Sequence, residues 1–280
     1  MKHRVFHFIL DQRVGGPHIY VQHLAKALET DIDSLLVTTG RGAQTDITLL
    51  NLRHWLRCLY PFEVILNVIG LCWRFRRLKL RERVIFDVHG AANLAPIVAA
   101  RILNIPLVWH FHETVAKFSL FVALGKNIAL GIPHKFIVVA KKAAQVFNLP
   151  NAILIPGAVD PTFWSVAHFD KSSCKGSQQL RILCVCNLNP LKGVDTLLAS
   201  LEEVTQPWEL VIVGADLQTY SSYARKLRAH AARLESPNRR TRFAGWQSQE
   251  EVRNLMVNSD VFVLPSRSEA CPLALLEAMA

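Results

Sequence analysis

The chain has 280 residues, 51% of them hydrophobic and 19% charged, which excludes a disordered tail and leaves room for two α/β units or one large one. Its net charge of +10 favours partners that carry phosphate, whether nucleotide, nucleic acid or anionic lipid, without choosing among them. Of six cysteines only Cys184 and Cys186 stand close together, which is neither a zinc spacing nor a disulfide framework, so the cysteines read as buried thiols of a cytoplasmic protein.

The opening MKHRVFHFIL runs directly into Asp11, Gln12 and Arg13; its apolar core is too short for a signal peptide and reads as a first strand over 4–10. A helix follows over 18–29, then strands over 33–39, 83–89, 106–112 and 135–140, with a helix over 95–104 between two of them. That alternation specifies a doubly wound parallel sheet. The longest apolar stretch, 59–73, contains Pro61 and Glu63 and is too short to cross a bilayer. With the RFRRLKLRER that follows, it reads as a core helix with a solvated basic end, the alternative being an amphipathic segment lying on an anionic membrane surface.

A stretch over 165–179, rich in Ser, Lys and Gln, reads as a linker between a domain at 1–164 and another at 180–280. The second series has strands over 181–187, 208–214, 241–246 and 261–266. Its helices lie over 194–204, 221–235 and 248–259, the last with Ser248 and Glu251 at capping-box spacing, and a final one begins near Pro272. About four strands is fewer than a doubly wound domain usually has, so the second domain reads as cut short at its C-terminus.

Ligands of open parallel sheets bind beyond the carboxyl ends of the strands. After the first strand, Gly15 and Gly16 lead into a helix whose start can meet an anion, although a bare Gly-Gly is also an ordinary tight turn and lacks the dinucleotide fingerprint. His89 ends one strand, and His110, His112 and Glu113 end the next. Imidazoles so placed can hydrogen-bond sugar hydroxyls or phosphate, and alternation puts His110 and His112 on one face and Glu113 on the other, which argues against a shared metal. In the second half, Lys192 and Gly193 lie on a strand-to-helix loop suited to a phosphate counter-charge. Arg267 and Glu269 occupy another such loop, before a helix that starts at Pro272 and Leu273 and carries Glu277 two turns on.

Taken in order, these pieces resemble family 4 of the retaining GT-B glycosyltransferases, from Val5 to Ala280. PSRSEACPLALLEAMA resembles that family's Pro-Ser-x-x-Glu-Gly stretch with its later Glu-Ala, and NLNPLKGVDTLL its Gly-Arg-Leu-x-Pro-x-Lys-Gly loop. VIVG and FAGW resemble its following strand ends, and IPGAVDPTFW its Pro-Asn-Gly-Val-Asp segment. The resemblance implies two Rossmann-like domains facing a cleft, the second incomplete, and retaining transfer of a hexose from a nucleotide sugar to a glycan or lipid-linked acceptor. It implies no metal and no cofactor besides the donor.

Residue by residue, it implies that Lys192 neutralises the leaving diphosphate, Glu269 contacts the donor sugar and Glu277 holds the ribose. Gly15 and Gly16 approach the phosphate, and His112 touches the sugar near its reacting carbon. Asn187, Arg267, Pro272 and Leu273 complete the donor side, with His89, His110 and Glu113 on the acceptor side. The family has Arg where this chain has Asn187, so leaving-group stabilisation is expected to be weaker unless Arg267 compensates. Gly157-Ala158 replaces the family's Asn-Gly, and Ala270 its Gly. The alternative expectation is a catalytically inactive fragment, or a binding or scaffold remnant of the fold. Nucleic acid is not expected as a partner, because the positive charge is spread out. Peripheral association with the inner face of a membrane, in polysaccharide synthesis, suits the basic surface.

Overall fold

The computed structural model describes residues 3–10, 16–30, 32–39, 46–51, 59–114, 119–163 and 179–280. The chain divides into two compact units, Met1–Ala158 and Val159–Ala280. The stretch over 165–179, expected as a linker, lies outside the described residues except for Gln179.

In the first unit the strands are β1 (His3–Ile9), β2 (Asp33–Thr39), β3 (Ile47–Leu49), β4 (Arg83–His89), β5 (Leu107–Phe111), β6 (His134–Val138) and β7 (Ile153–Leu154). They pair in parallel in the order β3-β2-β1-β4-β5-β6-β7, so the chain reverses its direction of growth between β1 and β4. The intervening helices are α1 (Gly16–Leu28), α2 (Tyr60–Leu78), α3 (Leu94–Leu103), α4 (Ser119–Ala129) and α5 (Lys141–Val146). Right-handed crossovers put α1 on one face and α2 to α4 on the other, where α2, α3 and α4 pack side by side.

Phe75 of α2 meets Phe6 of β1 and Phe86 of β4 edge to face, with ring centroids 4.6 and 4.9 Å apart. Trp109 of β5 is fully buried and donates its indole N–H to the Gly90 carbonyl at 3.0 Å. A side chain at Gly125 would overlap that indole, so glycine lets α4 close on the sheet.

The apolar stretch of α2 is not core in the sense expected from sequence. Its inward residues are Glu63, Asn67, Leu71 and Phe75, whereas Phe62, Ile65, Leu66, Ile69 and Trp73 face solvent. Asn67 is inside because its amide pairs with both backbone groups of Leu50, at 2.9 and 3.0 Å, beside the edge strand β3. Composition alone could not tell which face turns inward.

The second unit has β8 (Leu180–Val185), β9 (Trp208–Val213), β10 (Arg239–Gly245) and β11 (Val261–Phe262), in the parallel order β10-β9-β8-β11. Its helices are α6 (Val194–Glu202), α7 (Ser221–Leu234), α8 (Gln249–Val257) and α9 (Leu273–Met279). Ile182, Cys184, Leu198, Trp208, Leu210, Ile212 and Leu227 fill the core between sheet and helices. Ser248 and Glu251 form the expected capping box at the start of α8. The strand expected over 261–266 shortens to β11: Val263 still donates to the Leu183 carbonyl at 2.8 Å, but Pro265 has no N–H to continue the ladder. Strand β7, strand β3 and helices α4 and α5 were not anticipated, the two strands being too short to show periodicity. No helix among the described residues is long and apolar enough to cross a membrane.

Candidate active site

The carboxyl ends of β1, β4 and β5 bring together His7, Asp87, His89, His110 and His112. His7, Asp87 and His89 are almost wholly buried, as is His110, while His112, just past the end of β5, is partly exposed. One oxygen of Asp87 stands 2.7 Å from His7 Nδ1 and 3.0 Å from His89 Nε2; the other stands 2.9 Å from His110 Nε2. His89 Nδ1 lies 3.0 Å from His112 Nε2, and Tyr20 of α1 sets its ring edge-on to His89, His110 and His112.

Burial opposes ionisation of Asp87, but the field of His89 and His110 and hydrogen bonds from His110 and His7 outweigh it and hold the carboxyl well below its usual range. Burial lowers His89 to about 4 and takes His112 well below the ordinary imidazole value, so both rings are neutral near pH 7. Glu113 turns away and accepts the Ala91 N–H with both oxygens at 3.2 Å, its carboxyl pushed up by burial.

Among the described residues two triplets offer ligand atoms within 4.8 Å of one another: His89, His110 and His112, and His7, Asp87 and His89. The three rings of the first triplet lie within 10–26° of parallel, whereas ligating imidazoles fan out around a common point. The arrangement is a hydrogen-bonded stack. Of the two glycines expected to meet phosphate, Gly15 lies outside the described residues and Gly16 is the first residue of α1.

In the second sheet the chain reverses its direction of growth between β8 and β11, and the loops after these two neighbours carry the candidate residues. After β8, Asn189 caps the short turn over 190–192 by accepting the Leu191 N–H at 3.0 Å. Gly193 follows at φ 66°, where a side chain would both strain the backbone and overlap the Pro265 carbonyl oxygen. The Lys192 loop therefore lies directly against the loop after β11. Lys192 Nζ donates to Glu269 Oε1 at 2.6 Å, each side chain about three-quarters buried.

Arg267 clamps the same two loops. Its backbone N–H donates to the Leu191 carbonyl at 2.8 Å, and its guanidinium grips Asp195 at 2.9 and 2.8 Å, Thr196 at 3.1 Å and the Pro190 carbonyl. The guanidinium hydrogen bond is the main reason the Asp195 carboxyl falls to about 2. Four of the five guanidinium N–H groups are thus engaged, so Arg267 supplies alignment of the loops and not a second free cation. Asn187, which stands where the resemblance calls for Arg, accepts the Ala215 N–H at 2.9 Å and ties the ends of β8 and β9 together.

Pro272 is the N-cap of α9 rather than its first helical residue, and Leu273 opens the helix with its side chain buried. Glu277, half-buried in the second turn, has its carboxyl raised by burial and by the neighbouring Asp160. The structure thus brings Lys192 and Glu269 into contact, sets Glu277 beside Asp160, and joins His89, His110 and His112. Asp87 and His7 were missed from sequence. A carboxylate inside the apolar run of β4 was the available signal, because a buried charge demands partners.

Residues 167–280 match the model of the family described as Glycosyl transferases group 1. No curated protein sequence matches the chain. Among solved structures, Anabaena HepE in complex with UDP and glucose is similar with a TM-score of 0.78 at 17% identity, over 99% of this chain and 78% of HepE. Sucrose-phosphate synthase from Thermosynechococcus elongatus gives 0.73 at 16%, over 99% and 79%. The lipopolysaccharide outer core galactosyltransferase WaaB gives 0.58 at 15%, over 99% and 78%. The fold is GT-B. The match over 167–280, taken with this fold, supports an enzyme of the glycosyltransferase class.

Proposed function

We propose that the protein transfers a hexose from a nucleoside diphosphate sugar to a glycan or lipid-linked acceptor, with retention of configuration, as a member of family 4. The observation that carries this reading is the Lys192–Glu269 pair, held at 2.6 Å at the switch point of the second sheet, within the matched domain. When the bond between sugar and diphosphate breaks, negative charge grows on the leaving phosphate. An ammonium already fixed beside it stabilises that charge without reorganisation. Glu269 accepts hydroxyls of the donor sugar and keeps the lysine in place; Glu277 does the same for the ribose.

Gly16, at the start of α1, adds a backbone donor toward phosphate, the role that the sequence also gives to Gly15. Arg267, Asn187, Pro272 and Leu273 shape the donor loops. His112 serves the sugar, backed from the interior by the buried His89 and His110, with Glu113 on the acceptor side. Fixed charges and backbone donors suffice for this chemistry, which needs no metal. That solved structures of HepE hold UDP and UDP-glucose supports a uridine nucleotide as the first donor to try.

The purified chain, given radiolabelled UDP-, GDP-, ADP- and dTDP-hexoses with membrane-extracted acceptors, is expected to pass label to acceptor from at least one donor. Tight nucleotide binding with no transfer from any donor would instead establish a binding or scaffold protein, the reading that Asn187 in place of a cation favours.

Peripheral attachment to the cytoplasmic face of an anionic membrane accords with a lipid-linked acceptor. Phe62, Ile65, Ile69 and Trp73 recur at helical spacing on α2 and are 54–70% exposed. Ile102 of α3 and Leu120 and Leu124 of α4, in the same helix layer, are exposed too. Arg74, Arg76, Arg77, Arg81 and Arg83 crowd the C-terminal end of α2, exposed to solvent. An apolar stripe ending in clustered arginine suits an anionic bilayer, each arginine contributing about 1 kcal/mol near the surface. Sedimentation with phosphatidylglycerol vesicles is expected, little with phosphatidylcholine alone, and Ile69→Glu with Trp73→Glu should lower vesicle affinity at least tenfold. Unchanged affinity in the double variant would exclude α2 as the docking face.

A further inference from the structure

The cluster at the ends of β1, β4 and β5 has a direction, set by its one carboxylate. Ionised Asp87 can only accept hydrogen bonds, so a nitrogen facing it must carry a proton. This assigns N–H to His7 Nδ1 at 2.7 Å and to His89 Nε2 at 3.0 Å. Of the buried polar atoms in the cluster, His7 Nε2, His110 Nδ1 and the second oxygen of Asp87 have no hydrogen-bond partner.

His89 is neutral and its one N–H faces Asp87, which makes its Nδ1 an acceptor. His112 Nε2, 3.0 Å from that atom, must therefore be the donor. Neutral in its turn, His112 is left with a lone pair on Nδ1.

We propose that Asp87 and His89 are positioning residues that lock His112 in its Nε2–H form, so that His112 presents substrate with a hydrogen-bond acceptor. The inference rests on the reading that His112 meets the sugar, and it specifies what His112 takes there. An acceptor pairs with a hydroxyl of the substrate and is repelled by a phosphate oxygen, so His112 recognises the hydroxyl-bearing part of the donor or acceptor and not the diphosphate. The relay also keeps the ring from rotating, because turning it would leave His89 Nδ1 unpaired.

The test is nitrogen-15 NMR on histidine-labelled protein, which reports ring tautomers directly. His112 is expected to be protonated at Nε2 and bare at Nδ1 at pH 7, with scalar coupling across the hydrogen bond to His89 Nδ1. Asp87→Asn places a donor beside His89 and should shift His112 toward the Nδ1–H form. His89→Gln, whose amide can donate to Asp87 and accept from His112, should keep the Nε2–H form; His89→Ala should lose both coupling and tautomer preference.

In transfer assays, kcat should fall 10-fold or more in Asp87→Asn and His89→Ala, stay within about threefold in His89→Gln, and leave nucleotide affinity unchanged in all three. These ranges stay below the ~10⁴-fold loss known for the wrong tautomer in a serine-protease triad. A bare Nε2 on His112 in the unaltered protein overturns the proposal, as does a His112 tautomer indifferent to His89→Ala. His89→Gln retains hydrogen bonding to Asp87, which keeps the test decisive if Asp87→Asn does not fold. The NMR readout needs no turnover, so absence of transfer together with the expected tautomer would remove the transferase reading and leave the relay standing.

Discussion

Lys192→Ala is expected to lower the transfer rate by about 10²–10³-fold, the cost typical of removing one fixed donor from developing charge. The upper part of that range is favoured because Asn187 contributes an amide to the Ala215 N–H, and Arg267 is committed to Asp195, Thr196 and Pro190. Neither can take over the lysine's charge. Stability should barely change: the Lys192–Glu269 pair is only partly shielded, and such pairs contribute on the order of 1 kcal/mol or less. Measuring kcat, nucleotide affinity and melting temperature side by side separates the cases. Activity within about threefold of the unaltered enzyme would remove Lys192 from the machinery, and a large drop in melting temperature would mark it as structural.

Mild acid is expected to destabilise the first unit well before ordinary carboxylates titrate. Burial sets His89 at about 4 in the folded chain against 6.5 in the unfolded one. Between those values the unfolded chain binds a proton that the folded chain refuses, so stability falls as pH falls, by about 1.4 kcal/mol per pH unit. Across the window this is on the order of 3 kcal/mol from His89, and His112, shifted the same way, adds to it. His7, His110 and Tyr20 face the same spot, and Asp87, which accepts the His89 Nε2–H, favours the protonated ring but is outweighed by burial.

Asp87 acts lower down: its depressed folded value gives stability that is present above the unfolded carboxylate range and lost as pH drops through the folded one. Glu113, raised by burial, works in the opposite sense but only near the carboxylate range. Thermal unfolding from pH 7.5 to 4.5 should show a fall of about 6–12 °C beginning near pH 6.5, at 2–4 °C per kcal/mol for a unit of this size. His89→Gln should flatten that fall. A melting temperature level down to pH 4.5 would show that the rings are not held neutral.

The loops bearing Lys192 and Glu269 were legible in the chain because their residues lie close together in sequence. Pro190, Lys192 and Gly193 form one short turn, and Glu269, Pro272 and Glu277 follow one strand. Such local spacings show themselves as motifs. The histidine stack was half legible: His89, His110 and His112 are strand-end residues, but Asp87 and His7 sit inside apolar strands, where pattern counting assigns them to the core. What those two residues do depends on β1 lying beside β4, a pairing across about eighty positions. The outward face of α2 was misjudged for a similar reason, since an apolar helix shows its composition but not which side meets the sheet.

By itself, then, the order of residues determined the alternation of strands and helices, the parallel class of both sheets and the loops that bear Lys192 and Glu269, because each follows from periodicity and steric rules within a few residues. Tertiary structure alone decided that Arg267 is a clamp, that Asn67 faces inward beside β3 while Trp73 faces out, and that one buried carboxylate sits among four imidazoles. Those outcomes depend on which distant backbones become neighbours, and on the need of every buried charge and amide to find a partner among them.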